Sequence, residues 1–144
     1  MIIGAGRAGL YQRHRLGDEL GLSVQVFEAG GDVGGTWYWN RYPGARFDSE
    51  SDSYGYSFSK KLLNEWNWAE HFSPQPETLC YVNHVADKLD LRKNIRFNAR
   101  VGCAFLEVPQ SRFLVHGQQL QPRAQEQAGF STRFRRCAPV PGAV

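Results

Sequence analysis

Three glycines near the start of the chain have the spacing of a phosphate-binding turn. Gly4, Gly6 and Gly9 form G-x-G-x-x-G between the short apolar run Met1–Ile3 and a helical pattern. In such a turn the first glycine permits the tight bend and the second lets a pyrophosphate approach the backbone. The third lets the following helix pack closely on the strand, and that helix offers its unpaired N–H groups to the phosphates. The turn therefore predicts a dinucleotide site.

An acidic residue, Glu28, ends the next predicted strand. The stretch 23–28 alternates and is rich in β-branched residues, which is typical of a strand. A carboxylate at this place accepts hydrogen bonds from ribose hydroxyls, and its charge disfavours a 2′-phosphate. The pattern predicts a site for FAD or NAD rather than for NADP. The glycine turn alone does not distinguish FAD from NAD.

A second glycine cluster follows the acidic residue directly. Residues 30–37 read G-G-D-V-G-G-T-W, a sequence whose backbone could wrap the far side of a dinucleotide. A flexible surface loop is the alternative interpretation. Residues 29–59 as a whole lack sustained periodicity, and a structureless loop of this length is unusual in a compact domain unless it binds something. We therefore expect a long ordered loop with short turns.

The elements that position these residues follow the order strand, glycine turn, helix, strand. This order indicates a βαβ unit with a parallel strand pair. The further elements predicted from periodicity are a helix at about 8–20 capped by Gly21, a short helix within 59–68, a helix at about 77–89, and strands at 95–101 and 112–115, with Gly117 in a turn. The sequence predicts an α/β fold, a Rossmann-like FAD-binding βαβ domain that is truncated.

The end of the chain has a different composition. Residues 121–144 show neither helical nor strand periodicity and are rich in Gln, Arg, Pro and Gly, which predicts a poorly ordered C-terminal tail. We therefore divide the chain into a FAD-binding segment, 1–101, and a divergent tail, 102–144. The tail could form one hairpin, and we expect the residues after that hairpin to be disordered.

Composition and charge exclude several function classes. The net charge of +3 has a modest C-terminal bias but no accompanying nucleic-acid motif, so no nucleic-acid partner is predicted. No pair of the cysteines Cys80, Cys103 and Cys137 has the spacing of metal ligands, so no metal site is predicted. The chain starts without a long apolar run, so we expect neither a signal peptide nor a membrane span. The three cysteines suggest no disulfide framework, so we expect a reduced, cytoplasmic setting.

The loop after Glu28 carries a far more specific signal. Residues 28–46, E-A-G-G-D-V-G-G-T-W-Y-W-N-R-Y-P-G-A-R, resemble the FAD-binding region of Baeyer–Villiger monooxygenases, flavin enzymes of the cyclohexanone and phenylacetone monooxygenase type. The likeness runs to about Val101. It includes F-D-S-E-S at 47–51, Y-G-Y-S-F-S at 54–59, E-W-N-W at 65–68, Q-P-E at 75–77 and N-H-V-A-D at 83–87. The N-oxygenating monooxygenases and the glutathione-reductase-like enzymes share only the glycine fingerprint and the acid.

The resemblance implies roles for individual residues. The three glycines of the turn would bind the FAD pyrophosphate, and Glu28 the adenosine ribose. The other implied FAD contacts are Gly35, Thr36, Trp37 and Trp39 along the flavin side, Tyr54, and Val101 through its backbone near the adenine. Asp48 would sit near the flavin and the nicotinamide, which makes it the one candidate for a catalytic residue, and Arg46 and Asp48 match positions near NADP.

Several of these side chains have simpler interpretations. Trp66 and Trp68 are more readily core aromatics than cofactor contacts. Arg46 and Asp48 could form a surface ion pair of little energetic value. The histidines show no ligand spacing, and structural roles are favoured for them.

The function implied by the resemblance is that of an NADPH-dependent flavin monooxygenase, which inserts oxygen into ketones to give esters or lactones. FAD would be its bound cofactor, with NADPH and a ketone as partners of the complete enzyme. The family's second G-x-G-x-x-G and catalytic Arg have no counterpart in this sequence, so we expect this stretch to be inactive by itself. The alternatives are a non-catalytic fragment without stable cofactor binding, and the FAD module of another flavoprotein such as an N-oxygenating monooxygenase.

Overall fold

A three-stranded parallel sheet organises the N-terminal part of the chain. The computed structural model describes residues 1–107 and 112–120. Strand β1 is Ile2–Ile3, β2 is Val26–Phe27 and β3 is Ile95–Arg96, and they pair in the order β1-β2-β3. The predicted βαβ unit with its parallel pair is confirmed, although both of its strands are shorter than the apolar patterns indicated.

The register of the sheet sends one row of apolar side chains into the core. Ile2 pairs with Val26, and Val26 pairs with Ile95. All three are buried, because successive side chains on a strand point to opposite faces and this row points inward. The residues that complete this core come mainly from the helices and include Leu10, Val82, Ala86 and Leu91.

The first helix, α1, spans Arg7–Arg13 and continues as a π-helical segment over His14–Glu19. The wider turns surround the buried guanidinium of Arg13, which lies 2.6 Å from a carboxylate oxygen of Asp18. A Cβ at Gly17 would lie 2.8 Å from the same guanidinium, so the absence of a side chain at this position leaves space for Arg13. The helix expected at about 8–20 is therefore present, but its second half is not a regular α-helix.

The remaining helical segments are short except for one. Helix α2 is Thr36–Trp39, α3 is Lys60–Asn64 and α4 is Gln75–Lys88, with 3₁₀ turns at Ser51–Tyr54 and Leu91–Asn94. Proline in the first turn of α4 suits a position whose N–H has no helical partner. The loop 29–59 is thus ordered around short turns, as its composition predicted.

The prediction of a single strand over 95–101 is wrong. Strand β3 ends at Arg96, and Asn98 adopts a left-handed conformation with φ of 55° that turns the chain. Asparagine tolerates this region better than most residues, and the alternating apolar pattern concealed the turn. A new strand, β4, then runs over Ala99–Glu107 and pairs antiparallel with β5, Arg112–Gln119.

The expected turn at Gly117 is also wrong. Gly117 lies inside β5 opposite Val101, and a Cβ there would come within 2.6 Å of the carbonyl oxygen of Arg100. Glycine is therefore present because two backbones approach closely, which is a common reason for glycine within a strand. Residues 121–144, for which we expect weak order, lie outside the described residues.

Over 1–107 and 112–120, no helix is both long and apolar enough to cross a bilayer. Over the same ranges, no three His, Cys, Asp or Glu side chains gather as metal ligands do.

Candidate dinucleotide site

The glycine turn joins the end of β1 to the start of α1. Gly4 has φ of 91°, a backbone conformation that residues with a Cβ rarely adopt. A Cβ on Gly9 would lie 1.9 Å from the carbonyl oxygen of Gly4. Gly4 therefore makes the bend, and Gly9 allows α1 to pack directly against the backbone of Gly4.

The second glycine of the turn faces the second glycine cluster. A Cβ on Gly35 would lie 2.8 Å from the Cα of Gly6, and a Cβ on Gly6 would lie 3.3 Å from the Cα of Gly35. The backbone N–H of Gly34 donates to the carbonyl oxygen of Ala5 at 3.1 Å, which fixes the two loops side by side. The backbones of Gly6 and Gly35 are therefore in direct contact, with no side chain between them.

Glu28 connects the same two loops through its carboxylate. It is 4% exposed, and its Oε2 accepts a hydrogen bond from the N–H of Ala5 at 2.6 Å. Its Oε1 accepts one from the N–H of Gly30, also at 2.6 Å. Each carboxylate oxygen has a further lone pair, so both can still accept from a ribose hydroxyl.

The start of the hairpin lies beside Glu28. The N–H of Ala99 donates to the carbonyl oxygen of Glu28 at 2.8 Å, and the N–H of Asn98 donates to that of Gly30 at 2.9 Å. Val101, two residues further along β4, is half-buried. The structure thus brings the backbone of this segment to the same end of the sheet as the glycine turn.

An ion-pair network holds the second glycine cluster to the end of α4. The guanidinium of Arg92 contacts the carboxylates of Asp32 and Asp87 and the side-chain oxygen of Asn83. Partial burial works to lower the pKa of Arg92, but the hydrogen bonds to Asp32 and Asp87 outweigh it and raise that pKa above its ordinary value. No pattern in the sequence singled out Arg92, since an isolated arginine between two elements is usually solvated.

The structure brings Trp37 and Tyr54 together. The indole N–H of Trp37 donates to the hydroxyl of Tyr54, whose ring stacks on Phe47 with centroids 4.6 Å apart. The amide of Gln75 donates to the carbonyl oxygen of Trp37. Two other candidates from this region, Thr36 and Trp39, are exposed to solvent.

Arg7 connects the glycine turn to this aromatic group, and sequence reasoning missed it. Its guanidinium carbon lies 4.5 Å from the centroid of Tyr54 and 5.3 Å from that of Tyr56, and it donates to the carbonyl oxygen of Gly55 at 3.1 Å. The hydroxyl of Tyr56 donates to the carbonyl oxygen of Arg7 at 2.5 Å. The only available signal was a cation inside the glycine motif.

Arg46 and Asp48 do not form the ion pair that was considered for them. The guanidinium of Arg46 lies 3.1 Å from the carboxylate of Glu70 and donates to the carbonyl oxygen of Phe72 at 3.2 Å. Asp48 is exposed. Both residues therefore lie at the surface. The ion-pair partner of Arg46 is Glu70, not Asp48, its near neighbour in sequence.

The simpler interpretation of Trp66 and Trp68 is confirmed. Both rings pack on the buried ring of Tyr81, with centroid distances of 5.4 and 5.0 Å. Three histidines lie near acidic side chains: His14 is 3.1 Å from Asp18, and His71 and His84 are 3.6 and 3.8 Å from Glu50 and Glu65.

Known proteins share this geometry and sequence. The NAD(P)-binding Rossmann-like domain family matches residues 2–62. The 2-oxo-Δ3-4,5,5-trimethylcyclopentenylacetyl-CoA monooxygenase of Pseudomonas putida is 54% identical over 104 residues, which cover 72% of this chain and 19% of that enzyme. A Baeyer–Villiger monooxygenase of Pseudooceanicola batsensis is 52% identical over 101 residues, which cover 70% of this chain and 18% of that enzyme.

Solved structures give the same result. An oxidized steroid monooxygenase bound to NADP superposes with a TM-score of 0.79 at 52% identity, covering 83% of this chain and 23% of that protein. This chain spans about a fifth of the length of the curated relatives it matches. The paired glycine loops, Glu28 and the aromatic residues Trp37, Phe47 and Tyr54 all lie within residues 2–62, which the Rossmann-like family matches. The chain therefore carries a Rossmann-like nucleotide-binding segment similar to that of Baeyer–Villiger monooxygenases.

Proposed function

We propose that this chain is the FAD-binding part of an NADPH-dependent flavin monooxygenase that converts ketones to esters or lactones. The observation that carries the proposal is the position of Glu28. Its buried carboxylate binds the backbone of the glycine turn at Ala5 and that of the second glycine cluster at Gly30. One acid thus fixes both loops at the end of β2, where a dinucleotide's ribose lies in this fold class.

The residues present suit a dinucleotide diphosphate. A Cβ on Gly6 would meet the Cα of Gly35, so glycine here lets the two loops lie side by side at the start of α1. The unpaired N–H groups at a helix start are suited to bind phosphate oxygens. We assign the pyrophosphate to Gly4, Gly6 and Gly9, the adenosine ribose to Glu28, and the adenine to the backbone at Val101. We accordingly place the end of the FAD-binding segment at 101, in the early part of β4.

We assign the flavin side of FAD to Gly35, Thr36, Trp37, Trp39 and Tyr54. When bound, FAD supplies the redox and oxygen chemistry, and the protein supplies binding and orientation. Trp37 and Tyr54 can orient a flat ring because their own hydrogen bond and the stacking on Phe47 restrict both side chains.

NADPH is proposed to lie away from the glycine turn. The carboxylate of Glu28 would repel a 2′-phosphate at the ribose position, so the turn selects a dinucleotide without one. Arg46 and Asp48 are exposed and are proposed to lie near NADPH, with Asp48 near the nicotinamide as the candidate catalytic residue. The guanidinium of Arg46 is bound to Glu70, so contact with NADPH would require it to leave or share that partner.

Ligand preference tests the proposal. The purified chain is titrated with FAD, NADH and NADPH by isothermal calorimetry. We expect saturable one-to-one binding of FAD and no measurable binding of NADPH at the same concentrations. A preference for either nicotinamide cofactor, or binding of none of the three, would contradict the assignment.

A further inference from the structure

Arg7 is a cation that pairs with no carboxylate in the described part of the chain. It follows Gly6 in the glycine turn and begins α1. The ion pairs found over 1–107 and 112–120 do not include it. Arg7 is half-buried, and a charge that is partly removed from water needs compensation from an anion or from hydrogen bonds.

The contacts that Arg7 does make hold its guanidinium in place but leave a donor over. One amino group donates to the carbonyl oxygen of Gly55 at 3.1 Å, and the guanidinium carbon lies 4.5 Å from the centroid of the Tyr54 ring. The Nε atom is buried and has no hydrogen-bond partner. A buried donor without a partner is costly, so this N–H is expected to have an acceptor when the site is filled.

The guanidinium lies between the two parts of the proposed cofactor site. Arg7 directly follows Gly6, which is assigned to the pyrophosphate, and its side chain ends on the ring of Tyr54, which is assigned to the flavin side. A cavity of about 460 Å³ opens beside the guanidinium and is lined by Arg7, Ala8, Tyr11, Tyr56, Ser57 and Phe58. A ligand can therefore reach this region from solvent.

We propose that the side chain of Arg7 is a further FAD-binding residue, which holds the phosphate on the flavin half of the cofactor through its Nε–H and its charge. The inference rests on the proposed function, because it requires FAD at the glycine turn. None of the roles implied by the family resemblance falls on Arg7. Any residue at this position offers a backbone N–H, whereas a guanidinium adds a charge-assisted hydrogen bond to phosphate.

FAD titration of charge variants tests the contact. Arg7→Gln keeps an amide that can donate to Gly55 but removes the charge, and it should weaken FAD at least about tenfold. Arg7→Lys keeps the charge and should lose less affinity. Arg15→Gln is the matched control, because it removes an exposed cation from the π-helical continuation of α1, and it should change the Kd less than about twofold. Thermal unfolding of each variant confirms that it is folded.

The salt dependence of FAD affinity separates a charge contact from a structural role. Added salt screens the attraction between a guanidinium and a phosphate. The Kd of the wild type and of Arg7→Lys should therefore rise with salt more steeply than that of Arg7→Gln. A residue that only supports the ring of Tyr54 would leave the slopes equal.

The Nε–H of Arg7 also gives a direct signal in ¹⁵N-resolved NMR spectra, identified by its absence from Arg7→Gln. We expect this signal to shift and its exchange with water to slow when FAD is added, and to stay unchanged when riboflavin, which has no phosphate, is added.

Three results would overturn the proposal while leaving the proposed function intact. They are equal FAD affinity of Arg7→Gln and the wild type, equal salt dependence of the two, and an Nε–H signal that is unchanged when the wild type is saturated with FAD. A folded wild type that binds no FAD would instead contradict the proposed function, and this inference with it.

Discussion

The carboxylate of Glu28 accepts a hydrogen bond from the backbone N–H of Ala5 in the glycine turn, and the two atoms are 2.6 Å apart. The other oxygen of the same carboxylate holds Gly30 at the same distance. Glu28 therefore organises the site before any ligand arrives, in addition to the ribose contact proposed for it. Its substitution should affect both the fold and the affinity for FAD.

Glu28→Ala should lower the free energy of unfolding of the chain. Both N–H donors lose their acceptor inside the fold, and each buried donor without a partner costs roughly 1–3 kcal/mol. Chemical denaturation measures this loss. Glu28→Gln is the control, because its amide oxygen can keep one of the two bonds, so its loss should be smaller; equal losses would place the effect elsewhere.

The same substitution should weaken FAD. Loss of a charged hydrogen-bond partner costs roughly 1.5–3 kcal/mol, which corresponds to about 10- to 150-fold in Kd. Fluorescence titration, performed where the variant is still folded, measures the change. A change below about twofold would mean that Glu28 does not contact the ribose.

Gly35→Ala should disrupt the site, and Gly21→Ala provides a matched control. Both glycines have positive φ, 54° and 65°, so alanine is strained in either place. The ψ of −119° at Gly35 lies outside the left-handed helical region, so the strain is greater there. A Cβ at Gly35 would additionally collide with the Cα of Gly6, whereas one at Gly21 meets open space. We expect thermal stability to fall in both variants and FAD binding to be lost only in Gly35→Ala. Retained binding in Gly35→Ala would show that the two loops can separate without harm.

The stability of the chain should fall at alkaline pH because of Tyr56. Burial raises the pKa of Tyr56 well above its usual value of 10.0, although the nearby charge of Arg7 works in the opposite direction. The folded state therefore keeps the phenol protonated while the unfolded state ionises. This contribution is complete below about pH 10 and is lost as the pH rises through the pKa of the folded state.

Tyr56→Phe tests that assignment. The variant keeps the ring but cannot ionise, so its stability should decline less steeply above pH 10 than that of the wild type. Tyr81, whose pKa burial also raises, remains in both proteins and accounts for the residual slope. Identical slopes in denaturation series between pH 9 and 11 would argue against a role for Tyr56.

The 144-residue chain produced by itself should not oxygenate ketones or reduce flavin with NADPH above background. Its sequence contains one G-x-G-x-x-G, at Gly4, Gly6 and Gly9, and Glu28 disfavours NADPH at that turn. Product analysis by gas chromatography with coupled NADPH consumption checks this. Ester formation that depends on NADPH would show that the chain carries more of the enzyme than proposed.

The sequence predicted the glycine turn, the parallel pair and the main helix well, for a physical reason. Gly4 and Gly9 are required by local backbone geometry and close packing, which a short motif records. Trp66 and Trp68 could be assigned to the core because aromatic rings bury large apolar areas wherever they can. Such features depend mainly on neighbours in sequence or on residue type.

The features that sequence reasoning missed depend on distant partners. Arg92 forms an ion pair with Asp32, which is 60 residues away in the sequence. Arg46 pairs with Glu70 and not with Asp48, although Asp48 is closer in sequence. Such pairs depend on the tertiary fold and cannot be inferred from sequence spacing. The turn at Asn98 was hidden because the alternation of apolar residues continues across it. Gly117 was wrongly assigned to a turn, because both a turn and the close approach of two backbones require glycine.

The most direct test of the central claim is FAD binding at the bare backbone of Gly6. The purified chain and its Gly6→Val variant are titrated with FAD, and bound flavin is followed by fluorescence and visible absorbance. A Cβ at Gly6 would lie 3.3 Å from the Cα of Gly35, so valine should push the two glycine loops apart and disrupt the proposed pyrophosphate site. We expect saturable one-to-one binding by the wild type and no saturable binding by the variant. Equal binding by the two proteins, or none by a folded wild type, would contradict it.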